Sequence, residues 1–175
     1  MLTEPLPATL DVRKAAARGV IVRGVLVLSE MGRLQEVLAS SDGVVEAEIA
    51  FAKDEENRSI ATVSVEAEVE VSCQRCLERM PLTIQSENRL AIVGDLEQAS
   101  QLPSRYEPWV VETEPGDLWA LVEDELILSL PIISLHESEE CNELLKDYRR
   151  PPSLPEEQAA DNPFKVLEQL KPGNK

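Results

Sequence analysis

Apolar and acidic residues alternate along the middle of the chain with a period of two. Val63, Val65, Ala67, Val69 and Val71 fall on one parity, and Ser64, Glu66, Glu68, Glu70 and Ser72 on the other. A strand built this way turns one face to an apolar core and one acidic face to water. Valine favours such a half-buried pleated surface. Val45, Ala47, Ile49 and Phe51 repeat the pattern against Glu46 and Glu48, and residues 20–28 and 82–93 are further strand-like runs. The charged stretch 53–58 is short enough for a hairpin loop. These runs predict an antiparallel meander of residues 44–51, 60–72 and 82–93, with 20–28 adding a strand. Residues 107–111 read as a short edge strand after a polar loop at 100–107, because Pro108 has no N–H for a ladder.

Elsewhere the period lengthens to that of a helix. Asp11 caps residues 12–18, which Gly19 ends. Ser29 is placed to cap a helix reaching residue 39, with Met31, Leu34, Val37 and Leu38 at helical spacing. Asp117 precedes a longer helix over 118–130, apolar at Leu118, Leu121, Val122 and Leu126, with Glu123 and Asp124 facing away, and Pro131 stops it. The run Glu123-Asp124-Glu125 reads as a solvated or partner-facing surface, since consecutive helix positions diverge. The fold class is α+β: an antiparallel sheet with a few packed helices. After Leu135 the composition turns polar, with Pro151, Pro152, Pro155, Pro163 and Pro172 and one amphipathic turn at Phe164, Leu167 and Leu170. The expected organisation is a single domain over 1–135 and a mostly flexible tail over 136–175, with Asn162-Pro163-Phe164 as a docking motif.

Charge narrows the partners. The 175 residues carry 33 acidic and 17 basic side chains, a formal charge of −16. Such a surface repels phosphate backbones and suits basic proteins. The densest basic cluster of the first half is Arg13, Lys14 and Arg18, below the block of about five or six like charges expected of an interaction tail. No apolar run reaches signal-peptide or membrane-span length, and three cysteines are too few for a secreted disulfide framework, so a cytoplasmic protein is expected.

The candidate chemistry is sulfur. Cys73 and Cys76 form a Cys-x-x-Cys at a strand end, and Cys141 follows His136, the one histidine of the chain. Two thiols on a short link can bind one metal, and the four residues make a Cys3His set of the kind that holds zinc. Two other readings stay open: a redox-active dithiol, and half-buried cysteines with no chemistry. The redox reading suffers because a strand precedes the motif and Pro81 with another strand follows, whereas a redox Cys-x-x-Cys opens a helix whose dipole lowers the thiol pKa. Arg75 still favours a thiolate. No nucleophile elbow, phosphate-binding loop, dinucleotide fingerprint or metalloprotease motif is present, so no enzyme is expected.

Cys73-Gln-Arg-Cys76-Leu77, the helix running from Asp117 to Pro131, His136-x4-Cys141 and the closing stretch from Asn162 to Leu170 resemble the YceD-like family of large ribosomal RNA subunit accumulation proteins. Glu107-Pro108 also fits its pattern. The resemblance implies a role in synthesis, processing or stability of 23S ribosomal RNA and supplies no catalytic residue. It carries Cys73, Cys76 and, more loosely, His136 and Cys141 over as motif positions. Joined to the charge, it points to a ribosomal protein, an assembly factor or a large-subunit precursor particle as partner. Direct RNA contact through Arg13, Lys14 and Arg18 is the alternative.

Overall fold

The computed structural model describes residues 4–138 and 140–142. In chain order the elements are β1 (Thr9–Leu10), α1 (Val12–Arg18), β2 (Ile21–Val27), a 3-10 turn (Leu28–Glu30), α2 (Gly32–Gln35), β3 (Val44–Lys53), β4 (Ser59–Ser72), β5 (Arg79–Val93), α3 (Leu96–Ser100), β6 (Glu107–Val110), β7 (Gly116–Asp117) and α4 (Leu118–Ser129). Five strands make one sheet in the order β2-β3-β4-β5-β6, and β1 pairs with β7. The protein is α+β. The chain divides between Glu137 and Ser138. Of the second part, the Cys141 N–H donates to the Ser138 carbonyl at 3.4 Å. The tail beyond residue 142, with Asn162-Pro163-Phe164, Leu167 and Leu170, lies outside the described residues.

The alternating parity decides which face of the sheet is covered. Val45, Ile49, Phe51, Val63 and Val69 are buried together with Val12 of α1, Leu34 of α2 and Leu118, Val122 and Leu126 of α4. α1 packs on β3 and β4, and α4 on β5 and β4. Each such side chain contributes about 1.5–3 kcal/mol by leaving water. The caps behave as their residue types dictate: Asp11 accepts from the Lys14 N–H at 3.1 Å, Asp117 from Ala120 at 2.9 Å, and Gly19 ends α1 at φ 65.

Two expectations need correction, for α2 and for the acidic run of α4. The helix reaching residue 39 is only the 3-10 turn and the single turn α2. The chain leaves it because the Ala39 N–H reaches the Glu70 carbonyl at 2.7 Å, a group of β4 beyond the end of β3 pairing. The stretch before the polar loop holds a helix, α3, capped by Asp95, which accepts from the Gln98 N–H at 2.8 Å. That connection brings the chain back so that β6, the edge strand expected at 107–111, runs parallel to β5. Finally, the Glu123-Asp124-Glu125 run is not a solvated face: Glu123 and Glu125 are 8% and 4% exposed, and only Asp124 is open. α2 has no side-chain cap of its own. Glu123 serves instead, accepting from the backbone N–H groups of Arg33 at 2.8 Å and Leu34 at 3.1 Å.

Candidate metal centre

β4 carries its inward parity one residue past its end, so Cys73 is buried. The turn to β5 then closes on itself: the Cys73 N–H donates to the Glu78 carbonyl at 2.9 Å and the Leu77 N–H to the Cys73 carbonyl at 2.8 Å. Leu77 sits at φ 64, a conformation that favours glycine, and its side chain is 80% exposed. This tight turn brings both thiols to one side. Pro131 follows α4 and directs the next residues across the turn. There the Gln74 N–H donates to the Ser134 carbonyl at 2.9 Å, and the Gln74 side chain donates to the Ile132 carbonyl at 3.2 Å. Arg75 reaches the His136 carbonyl at 3.4 Å.

These bonds deliver His136. Its backbone N–H donates to Cys73 Sγ at 3.5 Å, and its Nδ1 lies 3.3 Å from Cys76 Sγ. The donor atoms of Cys73, Cys76 and His136 fall within 4.8 Å of one another, a group that can hold a metal ion, and Cys141, the fourth expected donor, belongs to the second part of the chain. Cys73 and Cys76 are not joined by a disulfide.

Two observations test the fit to zinc. With zinc–sulfur and zinc–nitrogen bonds of about 2.3 and 2.0–2.1 Å, a tetrahedron separates its donors by about 3.5–3.8 Å, and Cys76 Sγ and His136 Nδ1 stand 3.3 Å apart. Thiolates and an imidazole are also the ligand chemistry that suits zinc over magnesium or calcium. The electrostatics agree. Burial pushes the Cys73 thiol up, but the backbone N–H groups of His136, Cys76 and Arg75, with the Cys76 side chain, outweigh it and hold the thiol at about 5. Such a thiol is a ready thiolate ligand. For a redox dithiol the placement is poor: the turn lies between two strands, and buried Cys73 is closed to an external disulfide.

The basic cluster is engaged. Arg13 donates to Glu114 Oε1 and to the Val111 carbonyl, both at 2.8 Å, and Lys14 pairs with Asp11 at 2.6 Å. Arg18 stays on the exposed last turn of α1. The sequence reading missed another gathering of cations, in which Arg58, Arg89 and Arg105 stand 5.5, 5.6 and 5.0 Å from the Tyr106 ring centre. They come from three separate stretches, so no local pattern announces them. Arg58 is paired there with Asp54 and Glu56.

Residues 61–171 match the model of the family YceD, described as Large ribosomal RNA subunit accumulation protein YceD. The chain belongs to the YceD family. It is 36% identical over 169 residues to the Large ribosomal RNA subunit accumulation protein YceD of Haemophilus influenzae, covering 95% of this chain and 96% of that protein. The family segment contains all four sulfur and imidazole donors. No solved structure matches the chain. No helix among the described residues is long and apolar enough to cross a membrane.

Proposed function

We propose that this protein promotes accumulation of 23S ribosomal RNA in the cytoplasm without catalysing a reaction, by holding a basic ribosomal protein, an assembly factor or a large-subunit precursor particle. The observation that carries this reading is the match over 95% of the chain to a relative named for large-subunit RNA accumulation. The domain of residues 1–135 bears the role, with 136–175 as its tail. Cys73, Cys76, His136 and Cys141 hold one zinc ion, which supplies a structural cross-link between the β4–β5 turn and the residues after α4. With its one histidine in that set, the chain has none left for a conventional Ser-His-Asp or Cys-His-Asn site. The alternative of direct RNA contact through Arg13, Lys14 and Arg18 is weakened by the carboxylates that already hold Arg13 and Lys14.

The test is a deletion strain complemented with the wild-type chain or with Cys73→Ser, comparing 23S with 16S ribosomal RNA. The wild type should restore the 23S level, and failure to do so overturns the reading. Elemental analysis of protein purified under reducing conditions without chelator should find about one zinc per chain, and none in Cys73→Ser. Metal-free wild-type protein would remove the zinc part.

A further inference from the structure

The helices cover one face of the sheet, and the other is acidic. By register, Glu46 and Glu48 of β3, Glu66, Glu68 and Glu70 of β4 and Glu87 of β5 share the open face. Glu46 stands directly opposite Glu66. Like charges in that position destabilise a sheet, because their Cβ atoms are only about 4.5–5.5 Å apart. Arg23 pairs with Glu48, and Arg79 lies 3.5 Å from Glu70. Among the described residues no salt bridge reaches Glu46, Glu66, Glu68 or Glu87.

The face also carries two shallow, open hollows. A groove of about 800 Å³ is lined by Asp42, Glu46, Glu66, Glu68, Glu70 and Pro81 among others. A second of about 520 Å³ continues it, sharing Glu46 and Glu66 and reaching Glu87. Val27 and Val44, opposite each other in register, form an apolar rim, 44% and 54% exposed. Farther along the same face Ile60 and Ala91, opposite each other in register, pack with Tyr106.

We propose that this groove docks an extended, lysine- and arginine-rich segment of a protein partner, a proposal that rests on the partner reading above. The chemistry selects that occupant. Among the described residues the only group close enough to hold a metal is the cysteine–histidine set, so these carboxylates do not converge on one cation. Their field is spread along a strand, where Glu66, Glu68 and Glu70 recur about every 6.6–6.8 Å. Alternate side chains of an extended peptide have the same spacing. The valine rim suits the aliphatic stems of lysine and arginine. Nucleic acid is repelled, and so is a second copy of the same acidic face.

The probe is a fluorescein-labelled 14-residue peptide with lysine at alternate positions and threonine between, followed by anisotropy at low and moderate salt. The wild type should bind it, more weakly as salt rises. Replacing Glu46, Glu66, Glu68 and Glu70 together by Gln should weaken binding at least tenfold. An equal charge change at the exposed residues Glu30, Glu55, Glu97 and Glu112 should change it less than threefold. Equal losses in both sets would mean bulk charge alone and overturn the proposal, as would full binding by the face variant. A 23S fragment held by the wild type and lost by the face variant would make this a nucleic-acid surface, also overturning it. The face variant should melt no lower than the wild type, since the Glu46–Glu66 repulsion is gone, and Glu66→Gln alone should weaken the peptide about twofold if the quadruple change fails to fold. Complementation separates the two readings. A correctly folded face variant that cannot bind the peptide yet restores 23S RNA overturns the docking alone, whereas a wild type that does not restore it overturns the proposed function.

Discussion

Glu123→Ala should be the most damaging single change in α4. The carboxylate accepts from the Arg33 and Leu34 backbone N–H groups at 2.8 and 3.1 Å and from Arg33 Nε at 3.0 Å. Its side chain is 11% exposed, while that of Arg33 is 54% exposed. The guanidinium pair, open to water and screened, is worth at most about 1 kcal/mol. The backbone donors weigh more, because Leu34 is fully buried and no water replaces the lost acceptor. Leaving such donors unsatisfied costs about 1–3 kcal/mol. The total loss should be about 3 kcal/mol, which for a domain of this size lowers Tm by roughly 6–12 °C. Glu123→Gln keeps one acceptor oxygen and should lose about 1 kcal/mol. Urea unfolding followed by the fluorescence of Trp109 and Trp119 measures both. The pH dependence has a definite sign. Burial pushes the Glu123 carboxyl up, but the N–H groups of Leu34 and Arg33 and the Arg33 side chain outweigh it and hold it below the usual range. The charge then stabilises the fold above the unfolded pKa of about 4.3 and ceases to do so as pH falls through the lower folded value. The gap between wild type and Glu123→Gln should be constant from pH 6 to 8 and narrow in acid. A loss below about 0.5 kcal/mol for Glu123→Ala would refute the capping role, since only an ordinary surface position costs so little.

Glu125 should behave in the opposite way. Burial raises its carboxyl, the Asn88 amide opposes, and the charges of Glu107 and Asp124 add to the rise. Ionising it therefore costs stability above its folded pKa, so Glu125→Gln should raise Tm at pH 7–8 and give no advantage below about pH 4.3; an unchanged Tm at pH 8 would contradict this. Leu77→Gly should raise stability by up to about 1 kcal/mol by relieving the positive φ, whereas β-branched Leu77→Val should lower it in the same melts. Chelation should lower the Tm of the wild type but not of Cys76→Ser, since free zinc at about 100 times Kd adds about 2.7 kcal/mol; equal melting with and without chelator would exclude the metal. Alanine at Arg13, Lys14 and Arg18 together should cost about 1 kcal/mol through the lost Glu114 pair yet still restore 23S RNA. Loss of a tight complex with free 23S fragments would instead favour the RNA-binding alternative.

The sheet was legible in the sequence because its parity is local. Val63 to Val71 alternates with serine and glutamate, and a two-residue period leaves only one assignment of faces. The caps at Asp11 and Asp117 and the stops at Gly19 and Pro131 were legible for the same reason, since each acts within one turn. Helix α2 was misread because the spacing of Met31, Leu34 and Leu38 reports burial, while the bond from Ala39 to Glu70 that ends the helical path joins residues 31 apart. Glu123 was misread because its partners, Arg33 and Leu34, lie about 90 residues away. At the candidate metal centre the residue types and the Cys-x-x-Cys spacing named the candidate donors, and chain folding brought His136 to Cys76, 60 residues distant. The acidic groove shows the division best. The glutamates of β4 are a row in the sequence, but only pairing in register sets Glu46 against Glu66 and Glu87 beside them. Charge along a strand is a property of the chain; charge across a sheet depends on register, and register is decided by the core that the opposite face must bury.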